Sequence, residues 1–222
     1  MKLKRLFTAI LSAALTLSLC AMPAMAEGGT TAGAGTTGAP VWGTATTGTL
    51  TICKYEQTSD QAATSEMGTP LNGVEFTVYK LADITQVDGK LVYTPVTELS
   101  AILTDDDFNA TTTTGGAIDS RALYTTIHNK LTAKRFNLDT LTHKNKTTGE
   151  DSTLEAGTVK FTGLDLGIYM VAETKAPSQI LNKSANFIVS IPMTEKQADG
   201  TYTWNYDVVA KPKNAPTYGG VT

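Results

Sequence analysis

The sequence predicts a mainly β protein: an Ig-like β-sandwich carrying a helical insertion. Three observations predict it. Short runs rich in β-branched and aromatic residues, separated by turn signals, recur over residues 48–99 and return from residue 159. Between these blocks, residues 100–158 change character and contain apolar residues spaced four apart. Outside them lie an N-terminal apolar run, a Gly/Thr/Ala-rich stretch and a short polar end, so the sheet-forming part has definable limits at 48 and 214.

The elements follow in order. Lys2, Lys4 and Arg5 precede an apolar run from Leu6 to Ala21, and Ala24-Met25-Ala26 supplies the small residues a signal peptidase reads. Residues 1–26 are therefore expected to be a signal peptide. The run is short for a membrane span and Met22-Pro23-Ala24 breaks it, while Leu19 is too large to precede a lipoprotein cysteine at Cys20. Residues 27–47 read as a flexible leader. Strands are expected at Leu50–Tyr55, Val74–Leu81 and Leu91–Val96, with Asp88-Gly89 as a hairpin turn. Asp119 or Ser120 caps a helix running through Arg135, with Leu123, Ile127 and Leu131 on one face. The polar stretch Asn145–Thr153 reads as a loop, and strands return at Val159–Phe161, Ile168–Glu173, Phe187–Ile191 and Tyr202–Ala210. Residues 215–222 read as a linker to further domains, so an N-terminal part of a longer protein is expected.

Composition narrows the function. Removing Lys2, Lys4 and Arg5 leaves 15 of the 18 basic residues against 21 acidic ones, a net charge of −6 after cleavage. An acidic secreted chain has no electrostatic case for nucleic acid. Of two cysteines only Cys53 survives cleavage, so no intramolecular disulfide can form and another source of stability is expected.

Strand parity then exposes misplaced polar residues. Along Trp204–Asn214, the parity of Trp204, Tyr206, Val208, Ala210 and Pro212 carries Asn214 to the core side, and the opposite parity carries Lys213 to solvent. Lys54 shares a face with Leu50 and Ile52, and Glu173 with Tyr169 and Val171. A lysine and a glutamate on core-facing positions are costly unless paired.

These residues carry a resemblance. Gly48–Glu56 and Leu71–Lys80 resemble the first two strands of the N-terminal domain of a sortase-assembled major pilin of Gram-positive bacteria, of the Cna-B type. Phe161–Tyr169 followed by Val171–Pro177 is similar to the segment holding that family's E-box glutamate. Trp204, Val208, Pro212, Lys213 and Asn214 resemble the pilin motif, with Ala210 and Lys211 standing where a valine and a tyrosine are usual. The resemblance spans residues 48–214 and implies a structural backbone subunit of a covalent cell-wall pilus, with an ancillary pilin or surface adhesin as the alternative. It implies Lys213 as the sortase nucleophile, an internal cross-link between Lys54 and Asn214, and Glu173 as its promoter, with burial favouring a neutral Lys54 and a protonated Glu173. The implied partners are a sortase, identical subunits and ancillary pilins. No cofactor or metal is implied, and the chain is not an enzyme beyond one self-modification.

Other sites are weaker. His128 and His143 lack a third ligand at metal spacing. Asp105-Asp106-Asp107 lacks calcium-loop spacing and reads as a helix cap or turn. The glycines of Gly28–Gly35 have no flanking strand and helix for a phosphate, and Cys53 reads as a passive thiol. A carbohydrate-active enzyme would need paired carboxylates in an aromatic cleft, and only 7% of the residues are aromatic.

Overall fold

The computed structural model describes residues 39–56, 68–178, 180 and 183–214. The expected signal peptide, the leader up to residue 38 and the expected linker 215–222 lie outside the described residues. In chain order the elements are β1 (Thr47–Cys53), β2 (Tyr55–Glu56), β3 (Thr69–Pro70), β4 (Glu75–Val87), β5 (Lys90–Pro95), α1 (Asp105–Asn109), α2 (Ser120–Ala133), β6 (His143–Thr147), β7 (Thr158–Asp165), β8 (Gly167–Lys175), β9 (Phe187–Ile191), β10 (Met193–Lys196), β11 (Tyr202–Asn205), β12 (Asp207–Ala210) and β13 (Lys213–Asn214).

The chain is mainly β and forms the expected Ig-like sandwich. One sheet has the order β12-β1-β7, and the larger has the order β5-β4-β8-β9 with β6 also on β4. Alternating side chains of β1 (Leu50, Ile52), β7 (Val159, Phe161) and β12 (Val208, Ala210) meet Phe76, Val78, Tyr169, Val171, Val189 and Ile191 of the larger sheet. The opposite face of that sheet, with Tyr79, Leu81, Ile84, Ile168 and Met170, is covered by the helical region through Phe108, Leu123, Ile127 and Leu131. Strands β4 and β8 are therefore buried on both faces. Continuous apolar runs, rather than alternation, mark strands in that position.

Local chemistry explains the ends of the elements. The side chain of Asp119 accepts the N–H groups of Arg121 and Ala122, which caps α2 as expected. Asp107 caps α1 from its third position through the Thr104 N–H at 2.9 Å and pairs with Lys130 of α2 at 2.7 Å. Asp88 (φ 50°) and Gly89 (φ 77°) form the β4–β5 turn, where positive φ at both positions matches the strand twist.

Three expectations are corrected. The polar loop over Asn145–Thr153 begins as strand: Asn145 to Thr147 belong to β6, which pairs with Glu75–Tyr79 of β4. This edge strand has almost no apolar face, because Lys144 and Lys146 stretch across to the carbonyls of Gly163 and Lys160 on β7. The single strand over Tyr202–Ala210 is two. The Asn205 side chain accepts the Asp207 N–H at 2.8 Å and turns the chain at Tyr206, so β11 pairs with β10 and β12 with β1. The end of the expected leader is docked. The Pro40 carbonyl accepts from Trp204 Nε1 at 2.8 Å and from Gln86 Nε2 at 3.0 Å, and the Trp42 ring meets Trp204 edge-on at 4.9 Å.

Candidate functional site

Lys54 sits where the first strand changes partners. Its N–H donates to the Gly157 carbonyl (2.7 Å), and its carbonyl accepts from the Leu71 N–H (2.9 Å). Before it, β1 runs between β12 and β7; after it, β2 runs between β13 and β3. Gly157 makes this crossing possible. Its φ is +72°, and a Cβ there would come within 2.6 Å of the Lys54 carbonyl oxygen.

The side chain continues the inward parity of Leu50 and Ile52, and Lys54 has no exposed surface. Its Nζ lies 2.9 Å from Glu173 Oε2, with both side chains fully buried. The aliphatic stem passes into the apolar interior, and Nζ lies 5.9 Å from the centroid of the Phe76 ring. Glu173 reaches the same point from β8, opposite Phe76 of β4. Parity places Lys54 and Glu173 on inward positions, and the structure brings the two together.

A third described residue joins the cluster, and the sequence reading did not single it out. Ser184, just before β9, donates to Glu173 Oε2 from its backbone N–H (3.0 Å) and from its hydroxyl (2.5 Å). The same hydroxyl accepts from Lys54 Nζ at 3.1 Å. Ser184 lies in an irregular connection, where no periodicity predicts the direction of a side chain.

Electrostatics follow from this geometry. Burial pushes the Lys54 amine below the ordinary lysine range, against the opposing pull of Glu173. Burial pushes Glu173 up, but hydrogen bonds from Ser184 and Lys54 outweigh it and hold the carboxyl below its ordinary range. The expected neutral lysine keeps its direction. The expected protonated glutamate does not, because donors converging on Oε2 stabilise the anion. Burial thus weakens the hold of the Lys54 amine on its proton, while its neighbours keep the Glu173 carboxylate charged.

The end of the chain approaches the same place. β12 pairs with β1 in parallel (Ile52↔Ala210), and β13 pairs with β2 in the same offset (Tyr55↔Lys213, Asn214↔Glu56). The backbone of Asn214 is thus two positions beyond the one opposite Lys54. The expected opposite facing of the Lys213 and Asn214 side chains falls outside the described residues. Lys211 is half-buried. Cys53 is partly exposed, and the histidines lie apart from this cluster: His128 stacks on Tyr124 and His143 lies against Tyr79.

Two packed sheets with a buried Lys–Glu pair beside the pairing of the first and last strands define a structural β module. The model of the Gram-positive pilin subunit D1, N-terminal domain, matches residues 43–215, and the chain belongs to that family. It is 30% identical over 220 residues to fimbrial subunit type 1 of Actinomyces viscosus, covering 95% of this chain and 33% of that protein. It is 29% identical over 147 residues to fimbrial subunit type 2 of Actinomyces naeslundii, covering 66% of this chain and 23% of that one. The full-length major pilin SpaD of Corynebacterium diphtheriae is similar at 32% identity and a TM-score of 0.43, over 77% of this chain and 30% of that one. The chain therefore spans a third or less of the length of these relatives.

Proposed function

We propose that this chain is the N-terminal part of a backbone subunit of a covalently polymerised cell-surface pilus. Residues 1–26 export it, a sortase joins each subunit to the next through the Lys213 amine, and Lys54 and Asn214 form an internal isopeptide bond promoted by Glu173. The observation that carries the internal bond is the fully buried Lys54–Glu173 pair at 2.9 Å. The register that runs β13 past Lys54 supports the choice of Asn214. Family membership and the position of Lys213 within the pilin-like motif support the sortase linkage.

The internal reaction balances without an added reagent. The Lys54 amine in its neutral form attacks the Asn214 side-chain carbonyl carbon, and Nζ passes one proton to the Glu173 carboxylate. A C–N bond forms as the bond to the amide nitrogen breaks. Glu173 returns the proton to that nitrogen, which leaves as ammonia. At Lys213 the amine attacks the acyl-enzyme that a sortase makes from the neighbouring subunit, and the sortase thiol leaves.

Co-expression of the full-length protein with its sortase tests both bonds. Lys213→Ala is expected to abolish the high-molecular-weight ladder, and Lys211→Ala to leave it. The intact mass of the monomer is expected to fall short of the sequence mass by one ammonia, and Glu173→Ala to restore it. A ladder that persists in Lys213→Ala overturns the sortase assignment; an unmodified wild-type mass overturns the internal bond.

A further inference from the structure

Three donors converge on one oxygen at the centre of this cluster. Glu173 Oε2 accepts from Lys54 Nζ at 2.9 Å, from the Ser184 N–H at 3.0 Å and from the Ser184 hydroxyl at 2.5 Å. The Ser184 oxygen also accepts from Lys54 Nζ at 3.1 Å. Nζ, Oγ and Oε2 form a closed triangle in which each atom touches the other two. A lysine–carboxylate pair alone fixes a distance but leaves the amine free to swing on its four-carbon stem and the carboxylate free to rotate about its last bond. The triangle removes both freedoms. Two of the amine's hydrogens are directed at named acceptors, and two donors from one residue pin the carboxylate oxygen. Bond formation between side chains requires such near-attack alignment, and small losses of it cost rate steeply.

We propose that Ser184 is a positioning residue for the internal cross-link, holding the Lys54 amine and the Glu173 carboxylate in register before the last strand delivers its amide. This rests on the reading that the Lys54–Asn214 bond forms. Ser184 undergoes no net chemistry. The proton from Lys54 passes to Glu173 Oε2 and on to the departing nitrogen, while the serine keeps its own. Its hydrogen bonds also explain why the carboxyl stays anionic despite burial, so that it meets the amine as a base. Ser184 precedes β9 and belongs to neither strand that carries the reacting residues. The base is therefore oriented by a third segment of the chain, as a general base commonly is.

The test is the rate of ammonia loss. Whole chains of wild type, Ser184→Ala, Ser184→Thr and Glu173→Ala are made in a short pulse, and intact mass is followed with time. Removing a hydrogen bond to a charged group predicts that Ser184→Ala slows the loss roughly 10- to 100-fold. Ser184→Thr, which keeps the hydroxyl, runs close to wild type, and Glu173→Ala does not react. A Ser184→Ala chain as fast as wild type overturns the proposal while leaving the internal bond standing. A slow Ser184→Ala that threonine does not restore assigns the effect to packing and also overturns it. A wild-type chain that never loses ammonia overturns the bond itself, and this role with it.

Discussion

Lys54 occupies a position that a sandwich core would ordinarily give to leucine. With no exposed surface, its ammonium needs partners, and among the described residues Glu173 and Ser184 provide them. That arrangement gives an unreacted chain a definite pH response, and Asn214→Ala, which removes the acceptor amide but keeps the pair, is the variant in which to see it. The folded-state pKa of Glu173 lies below its unfolded value, so its contribution is present above the unfolded carboxylate pKa and is lost as pH falls through the folded one. The folded-state pKa of Lys54 also lies below its unfolded value. Between those two values the folded chain binds fewer protons than the unfolded one, so stability climbs with pH until the unfolded amine is neutral as well. Both groups act in the same direction. Denaturant midpoints of Asn214→Ala are expected to rise through the acid range and again through the alkaline range below the ordinary lysine pKa. Wild type is expected to lack the alkaline rise, because the proposed cross-link would convert Lys54 to an amide. An alkaline limb equally flat in both proteins would contradict a buried, titrating Lys54. The two residues of this pair are legible in sequence because a strand has a strict period of two, and an inward Lys or Glu violates it. Ser184 has no such frame around it.

At the scale of elements, most of the fold could be read wherever a period or a turn residue operates. The helix α2 announces itself through Asp119 and three apolar residues four apart, and the β4–β5 hairpin through Asp88-Gly89. What escapes is decided by tertiary partners. β6 is polar because its side chains serve main-chain carbonyls on β7, and the β11–β12 break depends on one asparagine side chain. The segment at 39–42 belongs to the same category. Its glycine- and threonine-rich surroundings read as a free leader, yet it crosses from the β4–β5 hairpin to β11. Gln86 and Trp204 grip the Pro40 carbonyl, and the Trp42 N–H donates to Gln86 Oε1 at 2.8 Å. Trp42 is half-buried, so Trp42→Ala should cost less than emptying a full core site, about 1–3 kcal/mol, through lost area and the edge-to-face pair with Trp204. A melting temperature unchanged by that substitution would show that the strap contributes nothing to stability.

For the molecule as a whole, the parallel pairing of β1 with β12 determines how it carries load. Pulling on residue 39 and on the chain beyond Asn214 draws these neighbouring strands in opposite directions along their length, which loads their ladder in shear. The proposed Lys54–Asn214 link would sit at the far end of that ladder and would change the outcome from delayed unfolding to none. Tension would run along β1 to Lys54, cross the side chains and leave through Asn214, so only residues 39–54 could extend, roughly 50 Å when stretched. Asn214→Ala has no such shortcut, and its whole span from 39 to 214 should unravel, roughly 600 Å at full extension. Attachment through Lys213 is different again. Force entering at its amine reaches Asn214 after a single peptide bond, so the sandwich hangs beside the line of tension and should show no unfolding step in either protein. Single-molecule extension with handles at residue 39 or on the Lys213 amine, paired with the C-terminal end, separates these cases. A full-length step in wild type pulled from residue 39 would mean that no internal bond closes the fold.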